Sequence, residues 1–341
     1  MGCIGSAREG HGSLPSEPPE PVADRFSGGG PRPGRGCVPS VLVTDDQPTG
    51  SGDADATTVL ALDIGGTKLA AASITGSGRI LSEGRRPTAG RDGEDLFATV
   101  AGLMHEVVDR SNRVPDAVGV GCGGPMEQGG DSVSPLNIPQ WRGFPLRSRL
   151  AGEFGVAVRV DNDAKALARA EGWLGAAQGC RDFVAMVVST GVGGGIVLDG
   201  RVLDGALGNA GHIGHIIVDP TGRQCVCGAR GCLEAQVSGR SIEESTGRPA
   251  VEADLETKRW AGRLVGRAVA SVANLLDLRL AVVAGSVALG FGEPFFTAAQ
   301  DELDRSACLD YSRGTRIVPS GCGEHGPILG AAAVGLEELG R

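Results

Sequence analysis

LALDIGGTKLAAASI at residues 60–74 and AMVVSTGVGGGIVL at residues 185–198 decide the fold. Each is an apolar stretch, a turn of Gly and Thr, and a second apolar stretch. The nearly unbroken apolar run over 58–64 is what a buried strand requires. The stretch after each turn reads as an antiparallel return strand. A unit used twice, with helices between later strands, predicts two similar α/β lobes with a cleft between them.

The remaining pattern fits that frame. A third strand is expected over 79–85, then a helix over 95–108 with Leu96, Val100, Leu103 and Val107 on one face. Strands follow at 117–120 and 156–160, then a helix over 164–174. In the second copy, the strand 183–189 is expected to run into a turn at 190–195 and a short strand at 196–198. A long amphipathic helix spans 256–276, a strand 280–284, and a last helix 327–339. Residues 1–57, rich in Gly, Pro, Ser and charge, read as a disordered tail. The small lobe is expected from 58–160 plus 325–341, and the large lobe from 161–324.

Composition narrows the function. The 341 residues carry a formal net charge of −9 and 4% aromatics. An acidic chain with few stacking platforms is poorly suited to nucleic acid. Nine Cys, an odd number, fit a reduced cytoplasmic protein rather than a disulfide scaffold. No apolar run reaches the eighteen or so residues of a membrane span.

Both Gly-rich turns suit an anion, because backbone N–H groups there form a concavity that phosphate oxygens enter. The first offers Asp63, Gly65, Gly66, Thr67 and Lys68; the second offers Thr190, Gly191 and Gly193. Asp63 is a candidate for Mg²⁺. Each turn alone reads equally as a tight hairpin; as a matched pair they favour a nucleotide. GVGCGG at 119–124 fits a dinucleotide fingerprint, but Pro125 follows where a helix must open, so it is set aside.

Asp161-Asn162-Asp163 stands where a strand meets a helix. A carboxylate there can take a proton from a hydroxyl that attacks a phosphoryl group. Asp and Asn are also the usual helix caps, and the two readings stand side by side. CVCGARGC at 225–232 supplies Cys225, Cys227 and Cys232, ten residues after His215. Three thiolates and an imidazole complete a tetrahedral site for structural Zn²⁺ and leave no open position.

From Thr58 onward these segments resemble the ROK family of bacterial sugar kinases and related repressors. LALDIGGTKLAAA is similar to its first phosphate motif, VSTGVGGGIV to its second and VDNDAKALARAE to its catalytic segment. AGHIGH with CVCGARGCLEAQVSGR is similar to its sugar and zinc segment. The resemblance implies a two-lobed actin-like ATPase fold of the ribonuclease H-like kind, with ATP, Mg²⁺ and a sugar in the interlobe cleft. It implies Asp163 as the base that activates a sugar 6-hydroxyl. Gly124, Asn137, Asn162, His212, His215 and Glu234 would then face the sugar, and Gly285 and Ser286 the adenosine. A homo-oligomer also follows from it.

The chain departs from the family pattern twice. His212 replaces the Glu of E-x-G-H, as in N-acetylmannosamine kinases, so N-acetylmannosamine is expected ahead of glucose. Lys165 stands where Asn or Gln is usual, within one turn of Asp163, where it is expected to alter the charge of the site. A cyclitol kinase and a sugar-responsive transcriptional regulator are the competing readings. The regulator needs a helix-turn-helix, and residues 1–57 lack paired amphipathic helices. A sugar-binding protein without catalysis would have no use for Asp63 and Asp163.

Overall fold

The computed structural model describes residues 54–90 and 92–340. Positions 1–53 of the expected tail lie outside the described residues. The first part of the chain runs β1 (Thr58–Ile64), β2 (Lys68–Thr75), β3 (Ile80–Pro87), α1 (Gly93–Ser111), β4 (Ala117–Cys122), α2 (Leu146–Phe154) and β5 (Ala157–Asn162). It continues through α3 (Asp163–Trp173), β6 (Phe183–Val188), β7 (Val192–Leu198), β8 (Arg201–Val202), α4 (Leu233–Val237), α5 (Gly239–Thr246) and α6 (Leu255–Leu276). The remainder is β9 (Leu280–Ala284), α7 (Ser286–Phe291), α8 (Glu293–Ser306), β10 (Arg316–Pro319) and α9 (Gly326–Glu338).

The strands form two sheets, ordered β3-β2-β1-β4-β5 and β8-β7-β6-β9-β10. Within each, the hairpin strands pair antiparallel and the later strands pair parallel. The repeated strand–turn–strand unit thus begins each of two sheets with the same order.

Alternation decides what each face buries. Leu60, Leu62 and Ile64 of β1 face a core with α1, while Val59 and Ala61 face α9. In the second sheet Val184, Met186 and Val188 face α6 and α8, and Phe183 and Ala185 point to the other side. Helix starts are satisfied locally. Asp92 accepts from Glu94 N and Asp95 N, and Asp254 from Thr257 N. Among the described residues no helix is long and apolar enough to cross a membrane.

One glycine segment differs from expectation. Gly193–Gly195 were expected in the turn, but β7 begins at Val192 and pairs them with Val187, Met186 and Ala185. Their bareness lets neighbours approach the sheet. A Cβ at Gly193 would stand 3.1 Å from Ala164 Cβ, and one at Gly195 2.8 Å from Ala168 Cβ, so α3 lies on β7. Gly119, in the rejected fingerprint, is a central β4 residue where a Cβ would run into the Ala331 carbonyl of α9.

Candidate active site

The centre of the site follows from register. Asp63 on β1 pairs with Gly121 on β4, and Gly121 pairs with Asp161 on β5. Asp163 comes two residues later, at the first position of α3. A Cβ built on Gly121 would lie 3.8 Å from both Asp63 Oδ1 and the Asp163 Cα. Glycine at 121 therefore leaves a gap that both acids border.

Burial raises the Asp63 carboxyl to about 7; the nearby Asp163 charge adds to this and Lys68 opposes it. Asp163 is exposed at the start of α3. Desolvation by the surrounding protein raises its pKa, against backbone N–H donors and the nearby His212. Beneath them the buried Cys122 thiol is also pushed up, first by burial and then by these two acids.

Asn162 is the helix cap. Its Oδ1 accepts from Ala164 N at 3.0 Å and Lys165 N at 3.4 Å. Capping therefore falls mainly to Asn162, while Asp163, which also accepts from Ala164 N at 2.8 Å, is exposed. A Cβ at Gly124 would lie 3.9 Å from Asn162 Nδ2, so the amide end of Asn162 faces the loop after β4.

The first turn is braced from outside. Gly65 N donates to Lys68 O at 3.0 Å, and Thr88 Oγ1 donates to Gly65 O at 2.7 Å. Gly66 and Thr67 are exposed at its tip. A Cβ at Gly66 would come within 2.7 Å of Asn137 Cβ, which brings Asn137 to this turn. Lys68 and Asp63 border a cavity of about 30 Å³ with Glu83, Arg85 and Glu324.

The second turn is tied to two other segments. Ser189 N donates to Gly191 O at 2.9 Å, and Thr190 is exposed. Ser189 Oγ lies 2.9 Å from Ser286 Oγ at the start of α7. Gly285 adopts φ +100°, and a Cβ there would meet the Val188 carbonyl. Glu234 Oε2 accepts from Val192 N at 2.8 Å, so the segment after the last Cys is fastened to this turn.

His215, Cys225, Cys227 and Cys232 place their ligand atoms within 4.8 Å of one another. Cys225 Sγ to His215 Nδ1 is 3.7 Å and Cys227 Sγ to Cys232 Sγ is 3.6 Å. A tetrahedron with bonds of about 2.3 Å has edges of roughly 3.8 Å, so the donor set fits a zinc ion. The His212 and His215 rings stand 6.1 Å apart, which puts this cluster beside the cleft.

Lys165 departs from expectation. Its ammonium is buried and bonds to Asp204 Oδ1 at 2.5 Å and Asp161 Oδ1 at 3.2 Å, so its charge is spent away from Asp163. Sequence reasoning passed over Gly121 and Asp204. Gly121 sat inside the rejected fingerprint, and Asp204 is one exposed acid among many.

The model of the ROK family matches residues 59–338. A glucokinase of Thermotoga maritima is 30% identical over 315 residues, covering 83% of this chain and 98% of the relative. An N-acetylmannosamine kinase of Citrobacter koseri is 35% identical over 249 residues, covering 68% of this chain and 84% of the relative. Among solved structures, a ROK family glucokinase from Streptomyces griseus, in complex with glucose and AMPPNP, superposes with TM-score 0.71 at 28% identity. It covers 82% of this chain and 99% of its own.

Proposed function

The chain belongs to the ROK family and has the actin-like ATPase fold of its sugar kinases, and on that premise we propose that it transfers the γ-phosphoryl group of ATP to the 6-hydroxyl of a hexose. The observation that carries this reading is the position of Asp163. It opens the first turn of α3 and borders the gap at Gly121 together with Asp63, and its neighbour Ala164 packs on Gly193 of β7. Phosphoryl transfer needs positioning, charge neutralisation and an acceptor for the hydroxyl proton. Asp163 accepts that proton, and the α3 N-terminus favours its ionised form. Gly65–Lys68, Thr190, Gly191 and Ser286 flank the phosphates and nucleoside, while the bare positions at Gly193 and Gly285 make room for α3 and for the Val188 carbonyl. Asn137, Asn162, His212 and Glu234 orient the sugar.

Asp63, a buried carboxyl beside a second one, fits a divalent cation, and Mg²⁺ held there would neutralise phosphate charge. The Cys and His cluster fits a structural Zn²⁺ that fastens Glu234 to the second turn.

N-acetylmannosamine is the preferred substrate, with glucose next. Two relatives carry these two names. His212 supports the order. A neutral imidazole offers one donor and one acceptor, where a carboxylate offers acceptors alone. An acetamido carbonyl can accept from that donor.

A coupled assay over hexoses, N-acyl hexosamines and cyclitols tests both levels. Asp163→Asn should cut kcat by about a hundredfold or more, as loss of a general base does; near-native kcat would remove its role. His212→Glu should shift kcat/KM toward glucose by roughly 1–3 kcal/mol, the worth of one buried hydrogen bond. A native enzyme that prefers glucose, with no shift in the variant, would refute the substrate order.

A further inference from the structure

Lys165 follows Asp163 by two residues on α3 but serves a different segment. Its side chain is 3% exposed, and its ammonium donates to Asp204 Oδ1 at 2.5 Å and to the Gly208 carbonyl at 3.4 Å. Asp204 and Gly208 belong to the irregular loop 203–212 that leads from β8 to His212. That loop has little internal structure of its own. Gly205, Gly208 and Gly211 all have positive φ, and most of the segment is exposed. Ala210 N donates to Asp204 O at 2.9 Å, which closes the loop at its neck. Lys165 thus grips the neck through Asp204 and the far limb through Gly208. Gly211 then rests on the Gly194 carbonyl of β7, and His212 follows at once.

The charges around this ammonium are balanced from each side. Asp161 is shared between Lys165 at 3.2 Å and Arg169 at 2.8 Å, and Arg169 also pairs with Glu337 at 2.8 Å. Partial burial works against the Asp204 carboxylate, but the Lys165 ammonium holds its pKa below the usual range. Removing Lys165 leaves Asp161 its partner in Arg169, and it leaves Asp204, whose side chain is 55% exposed, to water. Loss of the clamp therefore strands no buried carboxylate, so the fold survives the test.

We propose that Lys165 is a positioning residue for sugar selection: through Asp204 and the Gly208 carbonyl it pins the 203–212 loop to α3 and thereby sets His212 relative to Asp163. The proposal rests on the sugar-kinase reading above. One helical turn then presents the base at its first residue and anchors the sugar-side loop at its third. A neutral amide at 165 would be too short and uncharged to hold both loop contacts and Asp161.

The test uses the full chain with Lys165→Met, Asp204→Asn, their double variant and Lys165→Arg. Steady-state kinetics are read alongside amide hydrogen exchange over 203–212. The two single variants should raise the sugar KM about tenfold, a modest cost for displaced binding groups, while kcat and the KM for ATP stay within about twofold. Exchange over 203–212 should quicken, because the loop loses its deep anchor. The double variant should be no worse than either single one, as for two halves of one interaction. Lys165→Arg should recover most of the native sugar KM.

An unchanged sugar KM, or unchanged exchange in 203–212, would overturn the clamp. So would a fall in kcat and a rise in both KM values together with a lowered Tm, which marks a general packing role. A native chain that phosphorylates no sugar in the panel would instead remove the kinase reading and the sugar half of the proposal; exchange would still decide whether Lys165 holds the loop.

Discussion

Asp63 and Asp163 illustrate how an acid takes its character from its neighbours. Both have raised pKa values, and in both the first cause is burial. For Asp63 the consequence for stability has a definite sign. Its carboxyl titrates near 7 in the folded chain against an ordinary 3.8. Between those values the folded state holds a proton that the unfolded state has lost. The stability this group contributes is fully present below the ordinary value and is lost as pH rises through about 7. Asn at 63 cannot ionise. Asp63→Asn should therefore be more stable than the native chain at pH 8, by about 1 kcal/mol or more, with the difference shrinking toward pH 4. Urea unfolding at both pH values measures this. Added Mg²⁺ should narrow the gap at pH 8 by neutralising the native carboxylate. A difference that does not vary with pH would show that Asp63 ionises normally.

Between elements, the Cys and His loop and α3 separate what sequence conveys from what it hides. The ligand set His215, Cys225, Cys227 and Cys232 was legible because spacing and ligand chemistry are local properties. The repeated hairpin was legible for the same reason, since β1/β2 and β6/β7 are contiguous in the chain. The part that was hidden depends on partners distant in sequence. Gly193–Gly195 read as a turn by composition, but they pair with β6 as strand, and the bare Gly193 and Gly195 let α3 pack on it. Lys165 read as a charge near Asp163 until Asp204, thirty-nine positions away, claimed it. Helix α8 escaped notice although Phe295, Ala299 and Leu303 recur at four-residue spacing, because Phe296 and Ala298 beside them blur the stripe. The loop also carries a prediction. About one zinc per chain is expected by elemental analysis, as a closed four-ligand site implies. Cys227→Ser should lower zinc content and Tm and weaken sugar binding, because α4 brings Glu234 to the Val192 amide. Protein purified without chelators and free of zinc would refute the assignment.

Across the whole molecule, the candidate site draws on both sheets. Asp63, the first glycine turn, Gly124 and Asn137 belong to or follow strands of the first; Thr190, Gly191, Ser286 and the loop to His212 belong to or follow strands of the second. Asn162 and Asp163 stand where the chain passes from one to the other. The return passage is held as firmly. The fully buried Glu171 of α3 accepts from Ala176 N at 2.8 Å, Gly321 N at 3.1 Å and Cys322 N at 3.3 Å, just ahead of α9. On the proposed reading, sugar and nucleotide are each held by residues that belong to or follow strands of both sheets, so each would draw the same two sheets together. Each ligand then prepays part of the ordering that the other requires, and the coupling must be reciprocal. The expected result is a Kd for a non-hydrolysable ATP analogue that falls about fivefold or more when sugar is saturating, with the same factor for sugar when nucleotide is saturating. Titration calorimetry with the non-hydrolysable analogue, which permits no turnover, measures all four constants. Kd values that do not change with the second ligand would mean that the two half-sites act independently, and that the shared Gly121 gap between Asp63 and Asp163 transmits nothing between them.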